Sequence, residues 1–333
     1  MNQLPERPRP SATALPRSVL SSVWSPTPAS MRRWALAAVV VNAGITVTGA
    51  VVRVTGSGLG CPTWPRCTPD SFVPAAHDGI SPLNTAIEFG NRLLTFLVLV
   101  VAVACVLAAL RQPERRRDLV RLAWIQPFGV AVQAFWGGVV VHSALNPVTV
   151  NVHFLFSVGM IAAACALYAR SGEGDTPPRA LVHPRIRTLG HVLTGAVLVL
   201  ILAGMVVTGT GPHSGDVIAS RFPFDIETVA RIHADAAYLV VGLTFALVFA
   251  LHVTGAPAPA RRAALTLLAV ELAQGVIGYV QYFLAVPAFL VGLHVLGSTL
   301  VWICTFRVVF ALRSRGPVGA PATAAAVPAA VPA

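Results

Sequence analysis

Four polar residues inside apolar stretches of the sequence occupy positions that could bind iron. They are Asn91, His153, His233 and His294. Asn91 and His153 are 62 residues apart, and His233 and His294 are 61 apart. If the stretches are helices, both pairs lie at similar depth in neighbouring parallel helices. Two imidazoles arranged in this way could bind the iron of one haem between them.

The histidines also have a simpler interpretation. A lone histidine in a membrane helix can serve only to hydrogen-bond a neighbouring helix. Three histidines at matched positions favour metal or haem ligation instead. His233 and His294 form a complete pair, whereas His153 is paired with Asn91, and asparagine is not an ordinary haem ligand.

A carboxylate lies on the same helical face as Asn91. Glu88 precedes Asn91 by three residues, and Arg92 follows Glu88 at i+4. The matching position in the second half of the chain is Ala230, so only one half has the carboxylate. Two interpretations are open: a structural ion pair between Glu88 and Arg92, or an acid, base or electrostatic stabiliser beside an iron porphyrin.

The loop after the first apolar stretch contains two cysteines, Cys61 and Cys67. They are predicted to lie on the oxidising side of the membrane, where a disulfide is plausible. Such a bridge could hold the loop together or take part in thiol–disulfide exchange. Zinc binding is disfavoured because only two ligands are within reach.

The composition is that of a membrane protein. Hydrophobic residues make up 55% of the chain and charged residues 11%, whereas a soluble domain has about 25% charged residues. The formal net charge is +11, and every basic residue is arginine. A basic protein can bind nucleic acid. Here the arginines lie at the ends of apolar runs, so nucleic acid is excluded as a partner.

Eight apolar runs have the roughly 20 residues needed to cross a bilayer. The sequence therefore predicts an all-α integral membrane protein with eight transmembrane helices. Residues 1–32 and 314–333 are predicted to be disordered cytoplasmic tails, and 171–188 a cytoplasmic linker. The runs are 33–54, 83–110, 119–142, 149–169, 189–210, 227–252, 263–285 and 289–312.

Arginine placement predicts the orientation. One side of the predicted membrane has most of the arginines and both termini. The opposite loops contain three arginines, Arg53, Arg66 and Arg221, together with several acidic residues. Positively charged loops face the cytoplasm, so we expect a multi-pass protein of the plasma membrane with both termini cytoplasmic.

Short motifs recur in the two halves of the chain. Gly49-Ala-Val-Val-Arg-Val-Thr-Gly56 corresponds to Gly204-Met-Val-Val-Thr-Gly209, and Gln133-Ala-Phe-Trp-Gly137 to Gln274-Gly-Val-Ile-Gly278. This pattern predicts a duplicated four-helix unit whose copies are parallel. The two predicted bundles comprise residues 33–170 and 189–313.

Together, these motifs resemble the heme A synthase family over about residues 33–312. The resemblance implies an enzyme that oxidises the C8 methyl of haem O to a formyl group, giving haem A for cytochrome c oxidase. The motifs are Gly49-Ala-Val-Val-Arg-Val-Thr-Gly-Ser-Gly-Leu-Gly-Cys-Pro-Thr-Trp-Pro-Arg-Cys67, Ile87-Glu-Phe-Gly-Asn-Arg92, Leu145-Asn-Pro147 with His153, Thr210-Gly-Pro-His-Ser-Gly-Asp216, Arg231-Ile-His233 and Gly292-Leu-His294.

The resemblance also implies a role for each half. His233 and His294 are expected to hold a haem b cofactor in the C-terminal bundle. His153 is expected to bind the substrate haem O in the N-terminal bundle, with Glu88 as the catalytic residue. Asn91 and Arg92 belong to the same implied site, and Cys61 and Cys67 match a subgroup with a cysteine pair in this loop. Implied partners are the haem O synthase, cytochrome c oxidase assembly factors, membrane lipid and further copies of the chain.

Asn91 departs from the family pattern, in which many members have histidine within Glu-x-x-His-Arg. A substrate haem with one strong axial ligand would have its other face open or held by water, to which Asn91 could hydrogen-bond. His142 is a candidate substitute ligand, and His213 is either a donor to a haem propionate or a solvated loop residue.

Two rival functions remain open. The first is a di-haem b membrane electron-transfer cytochrome, which symmetric ligand pairs in both halves would favour. A transporter with duplicated halves should have matched helix breaks; Pro127 in the third helix is one candidate break, and the seventh helix contains no proline.

Overall fold

A computed structural model of the chain describes residues 26–75, 79–113 and 115–318. This part of the chain contains eight long helices, and all eight are long and apolar enough to cross a membrane. The predicted all-α membrane fold is therefore confirmed. The helices are α1 (Pro28–Val54), α2 (Pro82–Leu110), α3 (Arg117–His142), α4 (Pro147–Ser171), α5 (Pro184–Thr210), α6 (Ile226–Val253), α7 (Ala258–Phe283) and α8 (Ala288–Ala311).

Local sequence explains where several helices begin. Helices α1, α2, α4 and α5 begin with proline, which suits this position because its missing N–H would be unpaired there in any case. Side chains cap other orphan N–H groups. The Asn146 side chain accepts from the Val148 N–H at 2.9 Å, and the Asp225 carboxylate accepts from the Thr228 N–H at 2.8 Å.

The four helices of each half pack in a closed ring. In the first half, α1 and α3 each contact both α2 and α4, and in the second half α5 and α7 each contact both α6 and α8. The halves meet where α8 packs on α1 and α4, and where α4 meets α5. Hydrogen bonds also cross this boundary: Trp302 Nε1 donates to the Val158 carbonyl at 2.9 Å, and Asn151 Nδ2 donates to the Met205 carbonyl at 3.2 Å. The predicted duplication and the boundaries of the two bundles stay predictions.

The α3–α4 and α7–α8 connections have the same backbone conformation. Ala144 and Leu145 have φ values of 49° and 58°, and Ala285 and Val286 have 55° and 62°. Left-handed conformations cost non-glycine residues of order 1–3 kcal/mol each. The Leu145 side chain is buried, so packing offsets part of this cost in the first half. These turns set the entry angle of α4 and α8, which contain His153 and His294.

A short strand pair joins the linker to the end of the chain. Strand β1 (Arg179–Ala180) pairs antiparallel with β2 (Arg313–Ser314), and the Gly174 N–H donates to the Gly316 carbonyl at 2.9 Å. The linker prediction (171–188) did not foresee this strand. The prediction of a disordered tail from residue 314 differs from the structure for residues 314–316, because their backbone groups are paired with the linker.

Charged side chains reinforce this strand pair. Glu173 accepts from Arg170 at 3.0 Å and from Arg313 at 3.3 Å, and Arg170 also pairs with Asp118 of α3. The first predicted tail (1–32) also ends earlier than expected, because α1 begins at Pro28. The rest of the predicted tails, residues 1–25 and 319–333, lie outside the described residues.

Candidate functional site

The histidine pair of the second half lies between two helices that run in the same direction. His233 is near the start of α6 and His294 near the start of α8, and their ring centroids are 6.2 Å apart with an interplanar angle of 65°. Two imidazoles that share one metal ion at bond lengths of about 2 Å have ring centres about 6 Å apart. The observed separation therefore fits one ion between the two rings.

The surroundings of this pair also fit a bound group. Within the described residues, the buried Nδ1 atom of His294 has no hydrogen-bond partner. A Cβ on Gly204 of α5 would lie 3.0 Å from His233 Cε1, and one on Gly278 of α7 would lie 3.5 Å from His294 Cε1. The two glycines thus give each imidazole room against a neighbouring helix. The residues present fit a haem held by two histidines.

The first half repeats these surroundings around one histidine. A Cβ on Gly137 of α3 would lie 3.7 Å from His153 Cε1, and Gly137 is the repeat counterpart of Gly278. The position that corresponds to His233 holds Asn91, whose Oδ1 accepts from Thr48 Oγ1 of α1 at 2.8 Å. The first half therefore has the same contact between a glycine and a histidine, and its asparagine is hydrogen-bonded to α1.

Glu88 is a buried carboxylate with partners on both oxygens. Only 6% of the residue's surface is exposed. Oε1 accepts from the Arg92 guanidinium at 2.6 and 3.1 Å, and Oε2 accepts from the Cys61 N–H at 2.6 Å. The predicted Glu88–Arg92 ion pair is present. The carboxylate also anchors the cysteine loop to α2, which the sequence did not indicate.

Arg92 holds the same loop from its other side. Its guanidinium donates to the carbonyls of Cys61, Thr63 and Arg66 at 2.9, 3.1 and 3.2 Å. It also lies 5.2 Å from the ring centroid of Trp64, close enough for a cation–π contact. Glu88 and Arg92 therefore act as one clamp, binding both the N–H and the carbonyl of Cys61.

The clamped loop covers the end of the first half at which α2 and α4 begin. Cys61 and Cys67 form a disulfide, as the sequence predicted, and both are buried. Trp64 packs on α3 at Gly138, where a Cβ would lie 2.4 Å from the indole Cδ1. Only glycine permits this approach, so the loop fits closely over α3 beside Gly137. Glu88 lies beneath this cover.

The other two candidate histidines have simpler surroundings. His142 is exposed at the last position of α3. His213 Nε2 lies within hydrogen-bonding distance of the Val286 carbonyl, at 2.9 Å. Arg53, at the end of α1, donates to the carbonyls of His213 and Thr208 at 2.5 and 2.6 Å. His213 therefore belongs to a contact that joins the two halves where α1 and α5 end.

Two features of the site were recognised in the sequence only as repeat markers. Gln133 and Gln274 lie against His153 and His294, and the glycines at 137, 204 and 278 lie against the imidazoles. Their recurrence in both halves was the available signal. It could not show the contacts, because the rotation of each helix about its axis was unknown.

The helices and the paired histidines define a multi-pass membrane protein with a candidate haem site between its helices. The family model described as cytochrome oxidase assembly protein matches residues 32–306. The chain therefore belongs to the cytochrome oxidase assembly protein family.

Curated relatives from several bacteria carry the name heme A synthase. The chain is 31% identical over 148 residues to the protein of Lysinibacillus sphaericus (strain C3-41), a match that covers 43% of this chain and 47% of the relative. It is 28% identical over 136 residues to that of Shouchella clausii (strain KSM-K16), covering 40% and 44%. It is also 28% identical over 113 residues to that of Geobacillus kaustophilus (strain HTA426), covering 34% and 33%. The chain thus spans about a third to a half of the length of these relatives.

Proposed function

We propose that this protein is a heme A synthase, which oxidises the C8 methyl of haem O to a formyl group. The observation that carries the proposal is the asymmetry between the halves. The second half has a complete histidine pair, whereas the first has one histidine and a buried carboxylate. The names of the similar bacterial proteins support the same activity. In the overall reaction one water oxygen enters, and four electrons and four protons leave to one-electron acceptors and to solvent.

Two histidines of the second half would hold the resident cofactor. We propose that His233 and His294 bind haem b, which supplies one-electron redox chemistry when bound. Gly204 and Gly278 leave space for their rings. His153 would bind the iron of the substrate in the first half. Residues 33–170 thus form the substrate unit and residues 189–313 the cofactor unit.

Glu88 is our candidate for the catalytic residue. We propose that its carboxylate stabilises the positive charge that develops as the methyl carbon is oxidised. Groups fixed in advance are effective stabilisers because they need not reorganise during the reaction. The Arg92 and Cys61 contacts hold Glu88 in one position, and Asn91 one turn away could hydrogen-bond a water on the open face of the substrate.

The arginine distribution supports a location for this chemistry. We propose that both termini are cytoplasmic, which places the histidines and the cysteine loop towards the outer surface. Haem O would arrive from the membrane, where the haem O synthase is a candidate donor. Cytochrome c oxidase assembly factors and a second copy of the chain are further candidate partners.

Haem extraction from the purified protein, followed by mass analysis, tests this function. We expect haem B together with haem O, haem A or an oxidised derivative between them. If the protein is purified from membranes that make haem O and contains no haem, the proposal is contradicted.

A second candidate function is a di-haem electron-transfer cytochrome. The matching surroundings of His153 and His294 favour it, because they give the first half a ligand position like that of the second. Incubation with haem O and an oxidant separates the two functions: an electron-transfer protein would return haem O unchanged. The transporter alternative has no comparable support, because α3 continues through Pro127 from Arg117 to His142.

A further inference from the structure

A hydrogen bond between two amide side chains crosses the interior of the first half. Asn42 of α1 donates through Nδ2 to Gln126 Oε1 of α3 at 3.1 Å, and we call this contact the amide bridge. Helices α1 and α3 lie opposite each other in the ring of four, since each packs on both α2 and α4. The amide bridge therefore passes through the centre of the bundle. Both residues are buried, and only 1% of Gln126 is exposed.

The partners of the two amides fix their orientation. Asn42 Nδ2 also donates to the Ala38 carbonyl at 2.8 Å, so this atom is the nitrogen and the Gln126 atom beside it is the oxygen. The other terminal atom of Gln126 is then its nitrogen. Among the described residues this buried nitrogen has no hydrogen-bond partner. Buried donors in folded proteins almost always have an acceptor, so the free N–H of Gln126 points to a ligand.

Gln126 lies on the face of α3 that meets the candidate ligand of the first half. Gln133 follows Gln126 by seven residues, which is two helical turns or about 10 Å. One terminal atom of the Gln133 amide lies 3.0 Å from His153 Nδ1. The clamped loop packs on α3 further along in the same direction, at Gly138. Gln126 therefore lies on the side of His153 that is away from this loop, nearer the middle of its helix.

Core packing changes at the amide bridge. On the side away from His153, α1 and α3 contribute fully buried residues to the hydrophobic core, namely Met31, Ala35, Leu119 and Ala123. On the side of His153, Gly49 and Gln133 are only partly buried, and a Cβ on Gly49 would meet nothing within 4 Å. The amide bridge is therefore the floor of the less tightly packed region in which His153 lies.

The corresponding positions of the second half are apolar. By the offsets that relate the matching motifs of the two halves, Asn42 corresponds to Val197 and Gln126 to Leu267. Val197 and Leu267 are fully buried. The amide bridge thus accompanies the proposed substrate position and not the proposed cofactor position. A difference between the two bound haems is therefore the natural explanation for it.

We propose that Gln126 is a specificity-determining residue, whose free N–H donates to the side-chain hydroxyl of haem O. Haem O differs from haem b in one side chain, where a hydroxyethylfarnesyl group replaces a vinyl group. The farnesyl chain is apolar, so it suits the membrane interior, towards which Gln126 lies from His153. Asn42 is a positioning residue, because it holds the Gln126 oxygen and leaves the nitrogen free. A fixed hydroxyl also limits rotation of the porphyrin in its plane, and so determines which ring methyl faces Glu88.

This inference rests on the proposed function, and it has a simpler alternative. The amide bridge could serve only to join α1 to α3. Its loss would then weaken the binding of every haem in the first half by the same factor. Recognition of a hydroxyl predicts instead that the effect depends on whether the added haem has that group.

A binding titration with two added haems separates these roles. The probes are haem O and an analogue that keeps the farnesyl chain but has hydrogen in place of the hydroxyl. Each is added to the purified holoprotein, whose resident haem b reports that a variant is folded. Gln126→Met lacks the N–H and is similar in shape, and Gln126→Leu is a second variant without the donor. The matched control is Thr244→Val, which removes another buried hydrogen bond, from Thr244 to Glu271 at 2.9 Å in the second half.

We expect the unsubstituted protein to bind haem O about 3–10-fold more tightly than the analogue, as one hydrogen bond contributes. Both Gln126 variants should bind the two haems equally, because the hydroxyl then has no partner. Thr244→Val should keep the preference of the unsubstituted protein. Equal affinities in the unsubstituted protein, or an unchanged preference in the Gln126 variants, would overturn the proposal.

Failure of the proposed function gives a different result. In that case the unsubstituted protein takes up neither haem O nor the analogue, which contradicts both proposals. If only the present inference fails, the protein takes up both compounds with equal affinity and still oxidises haem O.

Discussion

The two halves give a histidine the same surroundings and then differ in what accompanies it. His153 and His294 each lie against a glycine and a glutamine of the preceding helix. In the second half, His233 lies across from His294. In the first half, the matching residue is Asn91, and its side chain is bonded to α1.

Under the proposed function, this difference would let one scaffold serve two chemical purposes. An electron-transfer haem benefits from two strong ligands, because its coordination must not change with oxidation state. A substrate needs to enter, react and leave, and a single strong ligand suits that cycle. The loop between the first two helices of the first half is also longer than its counterpart in the second half, and Glu88 and Arg92 clamp it to α2.

The largest expected effect comes from removing a ligand of the second half. His294→Ala should lower retained haem b at least about 100-fold, because even an outer-shell partner contributes about 10–100-fold. The pyridine haemochrome spectrum of the purified protein measures the haem b retained. His153→Ala is the matched variant, and it should keep the resident haem. Full haem in His294→Ala would show that the pair is not the cofactor site.

Loss of the carboxylate should abolish most product formation and leave the cofactor site intact. Glu88→Gln keeps the side-chain shape but removes the charge, so haem A output should fall about 10²–10³-fold. Haem A is quantified by extraction and chromatography. Arg92→Gln breaks the same clamp and keeps the carboxylate, so it should retain more activity than Glu88→Gln. Equal losses would assign Glu88 to loop anchoring alone, and normal output would remove it from the reaction.

Restoring a histidine to the first half should reduce the difference between the halves. Asn91→His is expected to give a second low-spin haem signal in electron paramagnetic resonance and to slow turnover. It also removes the bond from Thr48, worth about 0.5–1.5 kcal/mol. Asn91→Ala removes that bond without adding a ligand, so only Asn91→His should give the new signal. Its absence would indicate that position 91 does not reach the iron.

The smallest expected effect comes from a glycine that leaves room for an imidazole. A Cβ on Gly204 would lie 3.0 Å from His233 Cε1, whereas one on Gly49, its repeat counterpart, would meet nothing within 4 Å. Gly204→Ala should therefore cost about 1–3 kcal/mol of stability through overpacking and broaden the haem b signal. Gly49→Ala should be neutral or stabilise the helix by about 0.5–1 kcal/mol. Thermal unfolding and the haem spectrum compare them, and identical behaviour would contradict the packing argument.

Much of this architecture was predictable from composition and spacing. Apolar length is enough to identify helices that cross a bilayer, and every predicted span coincides with one observed helix. Arg92 follows Glu88 by one helical turn, so their ion pair was also predictable. The Cys61–Cys67 bridge followed from the side of the membrane on which the loop was placed.

The contacts around the imidazoles were not predictable, because helix rotation leaves little trace in such a sequence. Lipid-facing and interior surfaces are both apolar in a membrane protein, so periodicity does not show which face of α3 or α7 meets a histidine. The bond from the Cys61 N–H to Glu88 depends on how an irregular loop folds. The β1–β2 pair joins segments more than a hundred residues apart, for which the sequence has no local signal.

This strand pair imposes an order on biogenesis. Its second strand lies beyond α8, close to the end of the chain, whereas Glu173 and Arg170 are synthesised with the first half. During translation the first half is therefore made before that closure can form. Arg313 reaches Glu173 only after all eight helices have been made. The contacts of residues 313–316 with the linker can therefore form only after α8 has been made.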